Sequence, residues 1–268
     1  MNDVILIDTH AHYYKFCEQA EFFDSAYSNM EKAACGISAN AVSFIICLLE
    51  TETSQWYQDL SAVGESSAAV GSWIIKSIDG NQALELSRNE DEALLVLPGR
   101  QVITRENLEV IIIGMQDVTP KKKSIEFYIN EYSALNLVIL PWGVGKWLGA
   151  RGEIINEVLS RNHNLPFALG DNSGRTNLWS RVPQFRLAEQ LGINILPGSD
   201  PLPISGQHKK VAKYGKVIEG KIEGKGILDQ IRKKLLKKQN NQLSTYGELD
   251  GPFRFSLNQL LLRINPIR

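Results

Sequence analysis

The stretch Val4-Ile5-Leu6-Ile7-Asp8-Thr9-His10-Ala11-His12 (VILIDTHAH) runs an apolar strand straight into two histidines. An unbroken apolar run of this length reads as a strand buried on both faces, as in parallel sheets covered by helices. Runs of the same type follow at 42–48 (VSFIICL), 93–97 (ALLVL), 137–141 (LVILP), 166–170 (PFALG) and 193–197 (INILP). Amphipathic stretches at 15–34, 151–162 and 180–191 lie between them. The alternation predicts an α/β fold, a parallel strand-helix barrel of seven or eight strands in a single domain. The pattern breaks at 71–113. There SWIIKSIDGNQALELS reads as a hairpin turning at Asp79-Gly80, and RQVIT and LEVIII flank a second turn at 105–107. This predicts an antiparallel insertion beside the parallel core. The tail, 208–268, reads as a basic helical extension whose last helix spans about 255–264.

The 268 residues are 43% hydrophobic and 22% charged, the proportions of an ordinary globular protein. No run approaches the roughly 18 apolar residues that cross a bilayer, and the start shows no basic leader or cleavage site. Three cysteines without CxxC spacing suit reduced, mostly buried thiols in the cytoplasm. The net charge of −1 hides an asymmetry. Residues 1–60 hold nine acids against Lys15 and Lys32, whereas 208–238 hold eleven Lys or Arg against Glu219, Glu223 and Asp229. Such a basic run either meets an anionic partner or forms a solvated helix face. No nucleic-acid partner is expected. Leu257, Leu260, Leu261 and Ile264 share one face of the last helix, which either packs on the barrel or makes a peripheral membrane or protein contact.

In folds of this kind functional groups gather at the carboxyl ends of the strands. His10 and His12 end the first strand there, Glu50 and Glu52 follow the second, and Gln101 follows the third. Trp142 and Lys146, Asp171, and Asp200 follow the later ones. Residues i and i+2 of a strand project to one side, so His10 and His12 offer two imidazoles to one point, with Asp8 behind to orient them. The alternative is a chance HxH in a loop. In LPGSDPLP (196–203), Asp200 suits a metal ligand that also takes a proton from water; the alternative is a turn cap. In LGDNSGR (169–175), Asp171 is a further ligand and Arg175 an anion clamp, or the segment is an Asx turn. Lys146 is a candidate substrate contact. His163 precedes its strand and lies at the wrong rim; His208, eight residues after Asp200, either folds back over the pocket or lies apart from it. The glycines Gly143, Gly145 and Gly149, between a strand and a helix, offer a competing reading as a dinucleotide site, with Asp171 on the ribose.

DTHAH at the first strand and GSD (198–200) at the last resemble the PHP (polymerase and histidinol phosphatase) and amidohydrolase metal-dependent hydrolases. VLPGRQVITRENLEVIIIGM (96–115) is similar to the PHP segment PG-x-E … E-x-H-h-h-G, and LVILPWG (137–143) to its h-h-x-H-P. The resemblance implies a (β/α) barrel, bound divalent metal and hydrolysis of a phosphate ester or, next, a C–N bond. It also implies ligands this chain has replaced: Gln101 stands for a glutamate, Ile111 and Leu140 for histidines, and Pro201-Leu202-Pro203 follow the GSD where a histidine is usual. The expectation is therefore one zinc or manganese ion held by His10, His12, Asp171 and Asp200, with Asp200, Arg175 and Lys146 acting on a small anionic substrate. Lys146 as a carboxylated bridging lysine is a lesser option. The alternative is a barrel that has lost catalysis and binds a ligand or partner.

Overall fold

A computed structural model describes residues 2–52, 54–65, 69–116, 122–179, 182–237 and 244–264. In chain order its elements are β1 (Val4–Ala11), α1 (Gln19–Ala34), β2 (Val42–Glu50), α2 (Trp56–Glu65), β3 (Ala69–Val70), β4 (Trp73–Ile78), β5 (Ala83–Ser87) and β6 (Ala93–Ile103). There follow β7 (Glu109–Ile113), α3 (Ile125–Tyr132), β8 (Leu137–Pro141), α4 (Ala150–Asn162), β9 (Phe167–Asn172), α5 (Pro183–Gln190) and β10 (Ile195–Gly198). The chain ends with β11 (Gly215–Glu219), α6 (Ile227–Leu236), β12 (Thr245–Tyr246) and α7 (Pro252–Ile264).

All eight residues of β1 are buried, and they alternate between two cores. Ile5 and Ile7 point inward with Ile45, Cys47, Leu49, Leu97, Ile111, Ile139 and Leu196. Val4 and Leu6 point outward against Phe22, Phe23, Ala26 and Met30 of α1, whose spacing makes one helical stripe. On the far side Val110, Val138, Leu140 and Leu169 pack outward against α3, α4 and α5. A strand covered on both sides needs apolar residues at every step, which is why these segments carry no polar alternation.

The described strands form one sheet in the order β10-β9-β8-β7-β6-β2-β1-β11-β12, with β5, β4 and β3 extending from β6. It curls into a nearly closed, barrel-like wall. β1, β2 and β6 run parallel, as do β8, β9 and β10, but β7 is antiparallel to both its neighbours and β11 to β1. The antiparallel segment is thus not wholly beside the core. Its hairpin β4–β5 turns at Asp79-Gly80 as expected, but its last strand, β7, is part of the wall.

β10 and β1 meet without a ladder. Asp200 N–H donates to the His10 carbonyl at 2.7 Å and Thr9 Oγ1 donates to the Pro197 carbonyl at 3.1 Å. Only glycine fits this approach: a Cβ on Gly198 would stand 2.4 Å from the His10 Cβ. The opposite end is plugged by α6, whose Ile227, Leu228, Ile231 and Leu235 complete the inner core. The Asp79 carboxylate caps it, accepting from Gly226 N–H at 3.0 Å and Ile227 N–H at 2.8 Å.

Of the two readings of the last helix, packing on the barrel does not hold. Asn258 is its buried residue, while Phe253, Leu257, Leu260 and Ile264 are exposed, so its apolar face does not pack on the barrel. Lys209 pairs with Glu21 of α1, Lys210 with Asp250 and Lys233 with Asp229, so much of the basic run is locally neutralised. No helix among the described residues is long and apolar enough to cross a membrane.

Candidate metal centre

The strand ends bring His10, His12 and Asp200 together, one donor atom from each lying within 4.8 Å of the others. His10 Nε2 is 3.1 Å from His12 Nε2 and 3.4 Å from Asp200 Oδ1. Gln101 Oε1, on β6, is 3.2 Å from the same His12 Nε2. Ligand atoms at the corners of a zinc tetrahedron with bonds of about 2.0–2.1 Å stand ~3.3 Å apart, so the spacing fits.

The proton positions fit as well. His12 Nδ1 lies 3.1 Å from the Leu49 carbonyl, which can only accept, so Nδ1 carries the hydrogen and a neutral ring presents a bare lone pair at Nε2. That lone pair faces the Gln101 carbonyl oxygen, and the Asp200 carboxylate is close by. Acceptors so arranged repel one another unless a cation or a proton stands among them. Burial holds His10 below the usual histidine range, with the Asp200 carboxylate opposing, so burial favours a neutral ligand.

Asp8 does not orient the imidazoles through a side-chain bond. Fully buried, it accepts from the backbone N–H groups of His10 (3.0 Å), Ser199 (2.9 Å) and Ala212 (2.9 Å), and from Ser199 Oγ (2.5 Å). Burial pushes its carboxyl up to about 6 against these bonds. It is a knot between β1 and the turn that carries Asp200. Asp200 itself sits at φ 43, a left-handed conformation that a non-glycine residue adopts only where its surroundings impose it. Asn172 Nδ2 anchors its other oxygen, Oδ2, at 2.9 Å, and also donates to the Trp142 carbonyl at 2.9 Å.

Two expected site residues go elsewhere. Asp171 is outside the group, because Arg175 grips it through Nε and Nη2 at 2.8 Å each and Tyr214 donates to it at 3.0 Å. Arg175 also donates to the Trp179 carbonyl, so the guanidinium is part of a buried tie rather than an open clamp. With its acid thus engaged, the end of β9 offers no free carboxylate to a ribose, and the dinucleotide reading loses its acid. Lys146 does reach the rim, where it pairs with Glu109 and keeps 38% of its side chain exposed. Glu50 turns to Arg100 at 3.1 Å. His163 lies at the end of α4, away from the centre, and His208 sits between Cys17 Sγ at 3.2 Å and Glu21 at 3.2 Å.

Glu109 and Tyr14 were not picked out as site residues from sequence. Glu109 opens β7, and because that strand is antiparallel its first residue is the one at this rim. Tyr14 follows the HxH; burial, then the Asp200 and Glu109 carboxylates, push its pKa up, so it stays a phenol at neutral pH. The spacing of Tyr14 after His12 was a signal available in the sequence.

No protein-family model matches the chain, and no curated protein matches its sequence. Among solved structures it is similar to the crystal structure of PsfC from Pseudomonas syringae PB-5123, with a TM-score of 0.57 and 15% identity over 98% of this chain and 99% of that one. The lesion-specific endonuclease PfuEndoQ from Pyrococcus furiosus matches with a TM-score of 0.48 and 12% identity, over 90% of this chain and 57% of that one. The likeness to PsfC is one of fold, and it extends over the whole of both chains.

Proposed function

We propose that this chain is a metal-dependent hydrolase with a PHP-type barrel, built around one divalent ion and acting on a small phosphate ester, with a C–N bond as the next substrate class. The observation that carries the reading is the convergence of His10 Nε2, His12 Nε2 and Asp200, with the His12 tautomer set by Leu49. Those three would hold the ion, and Gln101 Oε1, 3.2 Å from His12 Nε2, would be a neutral fourth donor. A bound zinc or manganese supplies a Lewis acid that polarises the phosphoryl group and lowers the pKa of water. Asp200 accepts the proton from the attacking water, its carboxylate plane fixed by Asn172. Lys146, steadied by Glu109, meets the phosphate charge from the rim. Tyr14 is a hydrogen-bond donor beside the two carboxylates. The three unpaired cysteines favour a reducing compartment, the cytoplasm.

The test is elemental analysis of tag-free protein beside a His10→Ala/His12→Ala variant and Asp200→Ala. About one zinc, manganese or iron per chain is expected in the wild type and none in the double variant, with hydrolysis of phosphate esters lost in both. A second reading, a barrel that binds a ligand without catalysis, is favoured by the two cations engaged in ion pairs, Arg175 with Asp171 and Lys146 with Glu109. Wild-type protein that holds no metal, and takes up none from excess ion, decides for that reading.

A further inference from the structure

A concavity lies between the first turns of α4 and α5 and the loop after β8. It is a cleft of about 440 Å³, within the few hundred to one thousand Å³ of small-molecule sites. Three of the chain's five tryptophans, Trp142, Trp147 and Trp179, line it. So do the glycines whose spacing suggested a dinucleotide loop. Gly145 (φ +71) and Gly149 (φ +57) have no atom within 4 Å of where a Cβ would stand, so no packing fills that side. At the edge Trp179 is 44% exposed and Leu148 66%, an apolar margin left in water.

The polar lining is sparse: the amides of Asn156 and Gln184, and the carboxylate of Glu153. Among the described lining residues there is one acid and no cation, so the cleft suits an uncharged ring rather than a phosphate. Flat indole walls favour a flat aromatic group, and the two amides can read hydrogen-bonding edges on it. A pair of hydrogen bonds links the cleft wall to the metal centre. Trp142 lines it, and the Trp142 carbonyl accepts from the same Asn172 amide that holds Asp200. One side chain therefore stands between the aromatic wall and the Asp200 carboxylate.

We infer that this cleft is the specificity pocket of the enzyme and holds the uncharged aromatic part of the substrate, so that the preferred esters are those of aryl or heteroaryl alcohols rather than alkyl ones. The inference rests on the metal-dependent reading for the phosphate end, while the aromatic end is a binding property that can be read without it.

The experiment is calorimetric titration of the full chain, loaded with zinc, with phenol and with non-hydrolysable phosphonate analogues of phenyl phosphate and methyl phosphate (named below by the esters they replace), repeated on Trp179→Ala and Asn156→Phe. Trp179→Ala removes an exposed wall and Asn156→Phe fills the cleft from α4, so a folding defect in one leaves the other to report; circular dichroism checks both. The expected result is phenyl phosphate binding about tenfold more tightly than methyl phosphate in the wild type, with the preference gone in both variants. Equal binding of phenyl and methyl phosphate, or a preference that survives both variants, overturns the cleft assignment. In the His10→Ala/His12→Ala variant phenol binding should persist unchanged while phenyl phosphate falls to the level of phenol. Wild-type protein that binds phenol and phenyl phosphate equally overturns the link to the metal centre, a failure of the hydrolase reading visible apart from any failure of the cleft.

Discussion

The Ser199 backbone N–H donates to the Asp8 carboxylate at 2.9 Å, tying the strand that carries His10 to the turn that carries Asp200. The same carboxylate takes three further bonds, so one buried side chain sets the spacing of ligands almost two hundred residues apart in sequence. Replacing it by Asp8→Ala strands three buried backbone N–H groups and should cost about 3 kcal/mol. Urea unfolding measures the cost, and metal content should fall with it. A loss below about 0.5 kcal/mol would show that Asp8 is not the knot described.

Gln101 offers a neutral oxygen where a carboxylate would bind a cation more strongly. Gln101→Glu adds a negative charge 3.2 Å from His12 Nε2, and zinc affinity should rise about tenfold or more in a chelator competition. Gln101→Leu should lower it. No response to either change would remove Gln101 from the centre.

Arg175 and Asp171 form a buried pair at 2.8 Å, so losing one charge exposes the other to an apolar interior. Arg175→Met should destabilise the fold by roughly 3 kcal/mol, and adding Asp171→Leu should recover part of that loss. Metal content per folded chain should not change. A clamp on substrate would instead show as a raised KM with stability intact.

Lys216 shares the inward parity of Ile218 on β11, and burial lowers its ammonium from the usual 10.5. Below the folded-state value the half-buried charge costs stability. That cost disappears as pH rises toward 10.5, because over that interval the unfolded chain binds more protons than the folded one. Lys216→Met should therefore be more stable than the wild type at pH 7, and the difference should shrink as the pH approaches 10. A constant difference across that range would point to packing rather than charge.

The parallel strands were legible because each is covered on both sides and so reads as a solid apolar run, as at Val4–Ile7 and Leu137–Leu140. The strand β11 was not: Gly215-Lys216-Val217-Ile218-Glu219 has two strongly apolar residues and sits in a basic background. The helices α2 and α3 are short, ten and eight residues, too brief for a clear period. At the site, His10, His12 and Asp200 could be read from strand ends, since two strands approach there and the glycine of GSD permits contact. Glu109 was hidden by direction. A search of carboxyl ends passes over an antiparallel strand, which presents its amino end to the same rim. Asp171 and Arg175 misled because a rim position says nothing about which neighbour a carboxylate has already met. Their i, i+4 spacing was the available hint.

The plug formed by Ile227–Leu236 bears on how the chain is made in the cell. At about 5–20 residues per second, that helix leaves the ribosome roughly 11 to 45 s after β1. Through that interval the nascent strands can pair, yet their inward isoleucines stay wet, because the floor that dries them has not been synthesised. Folding of this chain is therefore finished from its C-terminal side, and until then its inner core has no floor.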